Sequence, residues 1–285
     1  MIEVNAKSLL LDVLRSTNST AWPAKKLIEV ADMFSIKESA VRVTLSRLVS
    51  RGLIETSEHG SYLMKRSYDP VRTWIDSWKK GEDRINDWNG YWLCICPPAK
   101  IRKKDRLKLD KAAYRLGFRA VQDRMWARPD NLTMPLERMN ELLEAMSGVS
   151  NLVYATVVKL HADDQDLMLE RLWNRSDLEK EYRQCAKRLK RCMLQKKNLH
   201  RLAALKESIV VGGQAIRLLA LDPLLPGCMI DKNLRIELNT TTRNYNDMYH
   251  ESWKVFLDSE SIERVPINLN IEAMSSHSLD APNNL

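Results

Sequence analysis

Residues 35–55, SIKESAVRVTLSRLVSRGLIE, decide how the N-terminal part of the chain folds. They read as a short polar opening, an amphipathic helix, and a strand that begins at Gly52. Ser35 followed by Glu38 fits the S-x-x-E capping box, in which hydroxyl and carboxylate each take one free amide proton. Val41, Leu45 and Leu48 recur at spacings of four and three, so they form one stripe, with Thr44 and Val49 at its margins. The opposite side carries Ser39, Arg42, Val43, Ser46, Arg47 and Ser50. That side is small, polar and cationic, with no bulky residue to block close approach and no carboxylate to repel phosphate. Gly52 closes the helix in the way a C-terminal glycine does.

Working outward, residues 8–15 read as a first helix and STNSTAWP as a loop ending in Pro23. Residues 24–33 read as a second helix with Leu27, Val30 and Ala31 on its buried side. After the third helix, Leu53-Ile54-Glu55 is a strand, SEHGS a turn centred on Gly60, and residues 62–66 a returning strand. Three helices followed by a hairpin is the order of a winged helix-turn-helix, whose second close-set helix enters a DNA major groove. Arg42 and Arg47 then offer guanidinium forks for a guanine edge or a phosphate. Ser39 and Ser46 suit bases or phosphates, and Val43 suits a thymine methyl. His59, Lys65 and Arg66 in the wing would grip the backbone or an adjacent minor groove. The competing reading is a core helix with an ordinary solvated outer face.

Charge sharpens the choice. The 285 residues carry a net charge of +8, unevenly placed. Residues 1–130 hold 25 Lys and Arg against 16 Asp and Glu, whereas residues 131–285 hold 20 against 21. A localised basic excess favours a polyanionic partner, because neutralised phosphates release counterions. Hydrophobic residues are 44% of the chain, enough for two or three domains. No apolar run is long enough to span a membrane, and MIEVNAKSLLLDVL lacks the pattern of a signal peptide. A cytoplasmic location is expected. Cysteines 94, 96, 185, 192 and 228 suggest no disulfide framework there. A C-x-C pair without a second pair is weak evidence for a metal, and none is expected.

The rest of the chain changes rhythm. Residues 1–68 form the head, and residues 69–90 read as a helical connector. Trp74 and Trp78 fit core packing or, less simply, a stacking platform. Residues 91–160 alternate as strand, helix, two strands, helix, strand: YWLCIC, 103–116, FRAV, RMWAR, 135–146, LVYATVV. That order is the ferredoxin-like arrangement. Residues 161–265 read as an all-helical C-terminal domain. In it Ser176 with Glu179 suggests a second capping box, DPLLPG a break, and residues 241–257 a last helix. Residues 266–285, rich in Asn and Ser, are expected to be disordered. The fold class is thus α+β and multidomain.

Three stretches together resemble a known family. "RLVSRGLIE" closes the head; "WNGYW" and "YRLGFRAVQDRMWARP" lie in the middle; "RLW" at 171–173 and "RLLALDPLLP" at 217–226 lie in the C-terminal part. In that order they resemble the PaaX-like repressors of bacterial phenylacetic acid catabolism, over about residues 8–257. The resemblance implies a homodimer on a partly palindromic double-stranded DNA operator. It also implies release by a small-molecule effector such as an aryl- or acyl-CoA thioester. No cofactor is expected. An effector site between middle and C-terminal domains would draw on Trp173, Tyr182 and Arg217, though the two aromatic residues also fit a core.

An enzyme is the rival class. Ferredoxin-like metal nucleases need an Asp at the end of the first strand, and here Cys94-Ile95-Cys96-Pro97 stands there. Neither a Walker loop nor G-x-S-x-G is present. No catalytic residue is assigned. A third reading is a non-sequence-specific nucleic-acid binder that uses the basic helix 103–116.

Overall fold

The computed structural model describes residues 5–16, 20–57, 60–65, 69–160, 165–196 and 199–259. Helices α1 (Ala6–Ser16), α2 (Ala24–Asp32) and α3 (Glu38–Ser50) are followed by α4 (Pro70–Asp76), α5 (Lys103–Arg115) and α6 (Leu136–Ser147). Then come α7 (Gln165–Trp173), α8 (Arg175–Gln195), α9 (Arg201–Glu207), α10 (Gly213–Ala220) and α11 (Lys232–Asp258). Strands β1 (Trp22–Pro23), β2 (Ile54–Ser57) and β3 (Ser61–Met64) form one sheet. Strands β4 (Trp92–Cys96), β5 (Arg119–Gln122), β6 (Met125–Pro129) and β7 (Val153–Val157) form another. Both sheets are antiparallel. The fold is mixed α+β with a helical C-terminal region. No helix among the described residues is long and apolar enough to cross a membrane.

Two compact units result: residues 1–66 with 197–209 and 249–285, and residues 67–196 with 210–248. The stretch 161–265, read from sequence as one helical domain, therefore contributes to both. The tail 266–285 lies outside the described residues.

In the first unit, Leu10, Val13, Leu14, Leu27, Val30, Val41, Leu45, Leu48 and Ile54 share one core. The stretch expected as a loop before α2 instead ends in strand β1, where Trp22 pairs with Tyr62 and Pro23 with Ser61. Burial drives this: Trp22 is fully buried, with ring centroids 5.9 Å from Trp253 and 6.4 Å from Phe256. Proline is tolerated there because β1 is an edge strand. Leu205 of α9 and Phe256 of α11 complete the core.

The capping box expected at Ser35 does not form. Helix α3 starts at Glu38 after Lys37, with no side-chain cap. Ser35 instead finishes α2: its amide donates to Asp32 O (2.9 Å) and that of Ile36 to Ala31 O (3.1 Å). Its φ of 58° is the left-handed conformation that such a close requires. Ser35 is thus spent one helix earlier than the pattern suggests.

In the second unit the strand order is β5-β6-β4-β7, with α5 between β4 and β5 and α6 between β6 and β7. Leu93, Ile95 and Trp126 pack with Leu109, Ala112, Ala113, Met139, Leu142 and Leu143 of the two helices, and Trp74 of α4 joins them. The connector continues as a 3-10 stretch, Ser77–Arg84, kinked at Gly81. The second expected capping box fails as well. Ser176 lies inside α8, and its amide donates to the Glu170 carboxylate at 3.2 Å. Helix α11 begins at Lys232, earlier than the last helix expected at 241.

Candidate nucleic-acid interface

Helix α3 has two chemically distinct sides. Val41, Leu45 and Leu48 are at most 1% exposed. Ser39, Arg42, Val43, Ser46, Arg47 and Ser50 are all exposed, and Val43 stands 50% in solvent. The helix is closed by a complete Schellman turn. Leu53 N donates to Leu48 O (3.0 Å) and Gly52 N to Val49 O (2.8 Å), with Gly52 at φ 65°. That turn sends the chain directly into β2, so helix and hairpin are fixed to each other over a few residues.

The candidate contacts differ in readiness. The Arg47 guanidinium and the Ser39 and Ser46 hydroxyls make no side-chain bond among the described residues. Arg42 does: its guanidinium donates to Glu38 Oε1 at 2.7 Å, one turn back. A carboxylate therefore does stand beside this face, contrary to the sequence expectation, because the failed cap leaves Glu38 to reach along the helix. Both partners are more than half exposed, so the pair is weak and exchangeable. Ser50 bonds back to Arg47 O at 3.0 Å. Lys65, just after β3, is exposed, and its amide donates to Leu53 O. His59 and Arg66 lie outside the described residues.

The residues considered for an effector site have other partners. Trp173 is buried; its indole N–H donates to Gly117 O (3.0 Å), and its ring stacks on Trp92 at 6.0 Å. Tyr182 is fully buried, and its hydroxyl donates to the Asp222 carboxylate. Burial and that neighbouring carboxylate hold its pKa well above the ordinary phenol value. Arg217 is exposed on α10. The structure thus ties the two aromatic residues into packing and leaves the arginine on the surface.

What sequence reasoning missed is the bonding around them. Arg128 of β6 is 1% exposed, and its guanidinium donates to Leu116 O, Pro129 O (3.1 Å), Pro223 O (3.3 Å) and Asn131 Oδ1 (3.2 Å). Asn131 in turn donates to Leu224 O at 2.9 Å. A side chain on Gly117 would meet Pro223 O at 2.7 Å and Arg128 at 2.8 Å. On the far side of the same loop, Arg235 forks onto Glu82 at 2.7 and 2.9 Å and donates to Leu225 O. Burial lowers the pKa of both arginines, but the results differ. Arg128, held by neutral groups, is pulled down to about 9. Arg235 ends above its ordinary value because the Glu82 hydrogen bond and Asp222 outweigh desolvation. Three of the stretches that carry the resemblance, RLGF…WARP, RLW and DPLLP, therefore meet in one buried polar node. The signal was present as motif density, but motif density does not tell packing from function.

The comparisons bear on the head. Residues 5–67 match the model of the PaaX-like protein family. The resemblance drawn from the sequence thus holds over this PaaX-like segment, which contains α1 to α3 and both hairpin strands. No curated protein matches the chain. Among solved structures, the uncharacterized protein Rv0674 from Mycobacterium tuberculosis is similar, with a TM-score of 0.60 and 20% identity. The match covers 88% of this chain and 98% of that one. At that identity it speaks for a common fold alone.

Proposed function

We propose that the chain is a sequence-specific DNA-binding transcriptional regulator in which the outer face of α3 reads a major groove. The first unit is read as a winged helix-turn-helix, and the strand order β5-β6-β4-β7 of the second as a ferredoxin-like fold. The observation that carries the proposal is the exposed face of α3 inside the PaaX-like segment. A half-exposed valine sits there among small hydroxyl residues and an arginine without an ion-pair partner among the described residues. Solvent exposure of Val43 gains nothing for the fold, whereas a thymine methyl would bury it.

Arg47 is the prime candidate for base contact. Arg42, which must leave Glu38, suits a phosphate. Lys65 would add backbone contact from the wing. Family resemblance favours a repressor, a homodimer setting two recognition helices on two half-sites, and a CoA-thioester effector. Such a ligand acts only by binding one arrangement of the heads better than another.

The test is fluorescence anisotropy of the full chain on the promoter DNA beside its own gene, against scrambled DNA of equal length at near-physiological salt. A promoter preference of about a thousandfold, reduced by Arg47→Ala, is expected. Equal affinity for both DNAs would replace this reading with non-sequence-specific nucleic-acid binding.

A further inference from the structure

Helix α5, in the second unit, carries a surface that the reading of α3 does not use. Lys104, Lys108, Lys111 and Arg115 follow one another at steps of four, three and four, so they lie on one face. All four are exposed. Among the described residues only Lys108 has an ion-pair partner, Asp105 at 3.5 Å. The helix's other carboxylate, Asp110, is held by Arg106 at 3.2 Å. The stripe is thus a row of four cations, three of them without an ion-pair partner among the described residues, spanning about 16 Å at roughly 1.5 Å per residue. Beside it, Leu107 and Tyr114 stand 53% and 54% exposed. Arg119 lies over the Tyr114 ring at 3.9 Å.

Four cations on one rigid helix face cost electrostatic repulsion and contribute nothing to the core, which α5 builds from Leu109, Ala112 and Ala113. A polyanion of regular charge spacing relieves that cost. The stripe matches about five base-pair steps of a duplex at roughly 3.4 Å each. Lysines predominate, and a lysine is a point charge without the planar fork that reads base edges. This chemistry fits phosphates and is indifferent to sequence.

We infer that the α5 stripe is a second, sequence-independent contact surface for the phosphate backbone of duplex DNA, additional to α3. This rests on the DNA-binding reading of the chain. It assigns affinity and salt dependence to α5, and specificity to α3.

The test uses the full chain with promoter and scrambled duplexes, measuring affinity against NaCl concentration. The variants are Lys104→Ala/Lys108→Ala/Lys111→Ala/Arg115→Ala and, as the charge-preserving control, Lys104→Arg/Lys108→Arg/Lys111→Arg. All these side chains are exposed, so circular dichroism and melting should match the parent. The alanine variant is expected to flatten the slope of log affinity against log salt by about 3.6, at roughly 0.9 per phosphate for four contacts. The promoter-to-scrambled ratio should stay the same, and the arginine variant should keep the full slope. An unchanged slope in the alanine variant, with Arg47→Ala still weakening promoter binding, would overturn the inference and leave the α3 reading standing. If the parent binds neither duplex, the α3 reading itself fails. Loss of polyglutamate binding without a change on DNA would reassign the stripe to an acidic protein and overturn the inference.

Discussion

On α3 the Arg47 guanidinium is exposed and unbonded among the described residues, whereas on β6 that of Arg128 is 1% exposed and bonded to four acceptors. The two side chains are chemically identical. Their surroundings give them opposite work. Arg128 satisfies carbonyls at the C-terminal end of α5 and in the 222–226 loop that would otherwise be buried without donors. The Arg47 guanidinium satisfies no acceptor among the described residues. An exposed fork beside hydroxyls and an exposed valine is what the proposed DNA contact draws on. A saturated fork marks a joint in the fold.

The largest expected effect tests that contrast directly. Arg128→Ala leaves the Leu116 and Pro223 carbonyls without their donor, at about 1–3 kcal/mol for each unsatisfied buried group. A fall in the urea midpoint worth about 3 kcal/mol or more is expected. Arg47→Ala should leave that midpoint within about 0.5 kcal/mol and lose about 1–3 kcal/mol of promoter binding. Comparable destabilisation by both changes would break the comparison.

Two glycines sharpen it next. Gly117 and Gly52 both have positive φ, 84° and 65°, but only Gly117 faces atoms that a side chain would strike. Gly52→Ala should cost about 1–2 kcal/mol, the left-handed penalty alone. Gly117→Ala should cost that and a further 1–3 kcal/mol or so for overpacking. Thermal melts of the two variants check the order.

The thiols give a smaller, pH-dependent signal. Burial pushes Cys94 and Cys185 up to about 11 from 9.0. As pH rises past 9 the unfolded thiols ionise while the folded ones stay protonated. Their contribution to stability is therefore full below pH 9 and falls between pH 9 and 11. Iodoacetamide at pH 9, read by mass spectrometry, should modify exposed Cys228 well before Cys94 and Cys185. Equal rates would show that the second unit opens easily at that pH. The smallest effect is expected at Ser35, whose φ of 58° suits glycine better. Ser35→Gly should raise the melting temperature slightly, by less than about 1 kcal/mol in stability.

Much of the architecture was legible in the residues. The stripe Val41, Leu45, Leu48, the close at Gly52, the strand order WLCIC to VYATV and the connector helix follow from side-chain period and turn chemistry, which are local properties. The outward set Ser39, Arg42, Val43, Ser46 and Arg47 follows from the same period, since what a buried stripe excludes must face out. Local reading failed where a residue's partner is distant in sequence or belongs to the neighbouring element. Ser35 and Ser176 fit a capping pattern, yet one closes the preceding helix and the other lies within α8. Trp22 looks like part of a loop until Tyr62, Trp253 and Phe256 gather around it.

By itself, then, the sequence determined which helix turns a basic, hydroxyl-rich face to solvent, because helical period and burial are set within a few residues. Only the tertiary structure decided which arginines are buried and bonded, as Arg128 and Arg235 are, and that Trp173 and Tyr182 bond to Gly117 O and to the Asp222 carboxylate. Those outcomes depend on acceptors brought from as far as 153 residues away, and no local pattern encodes where a distant acceptor will point.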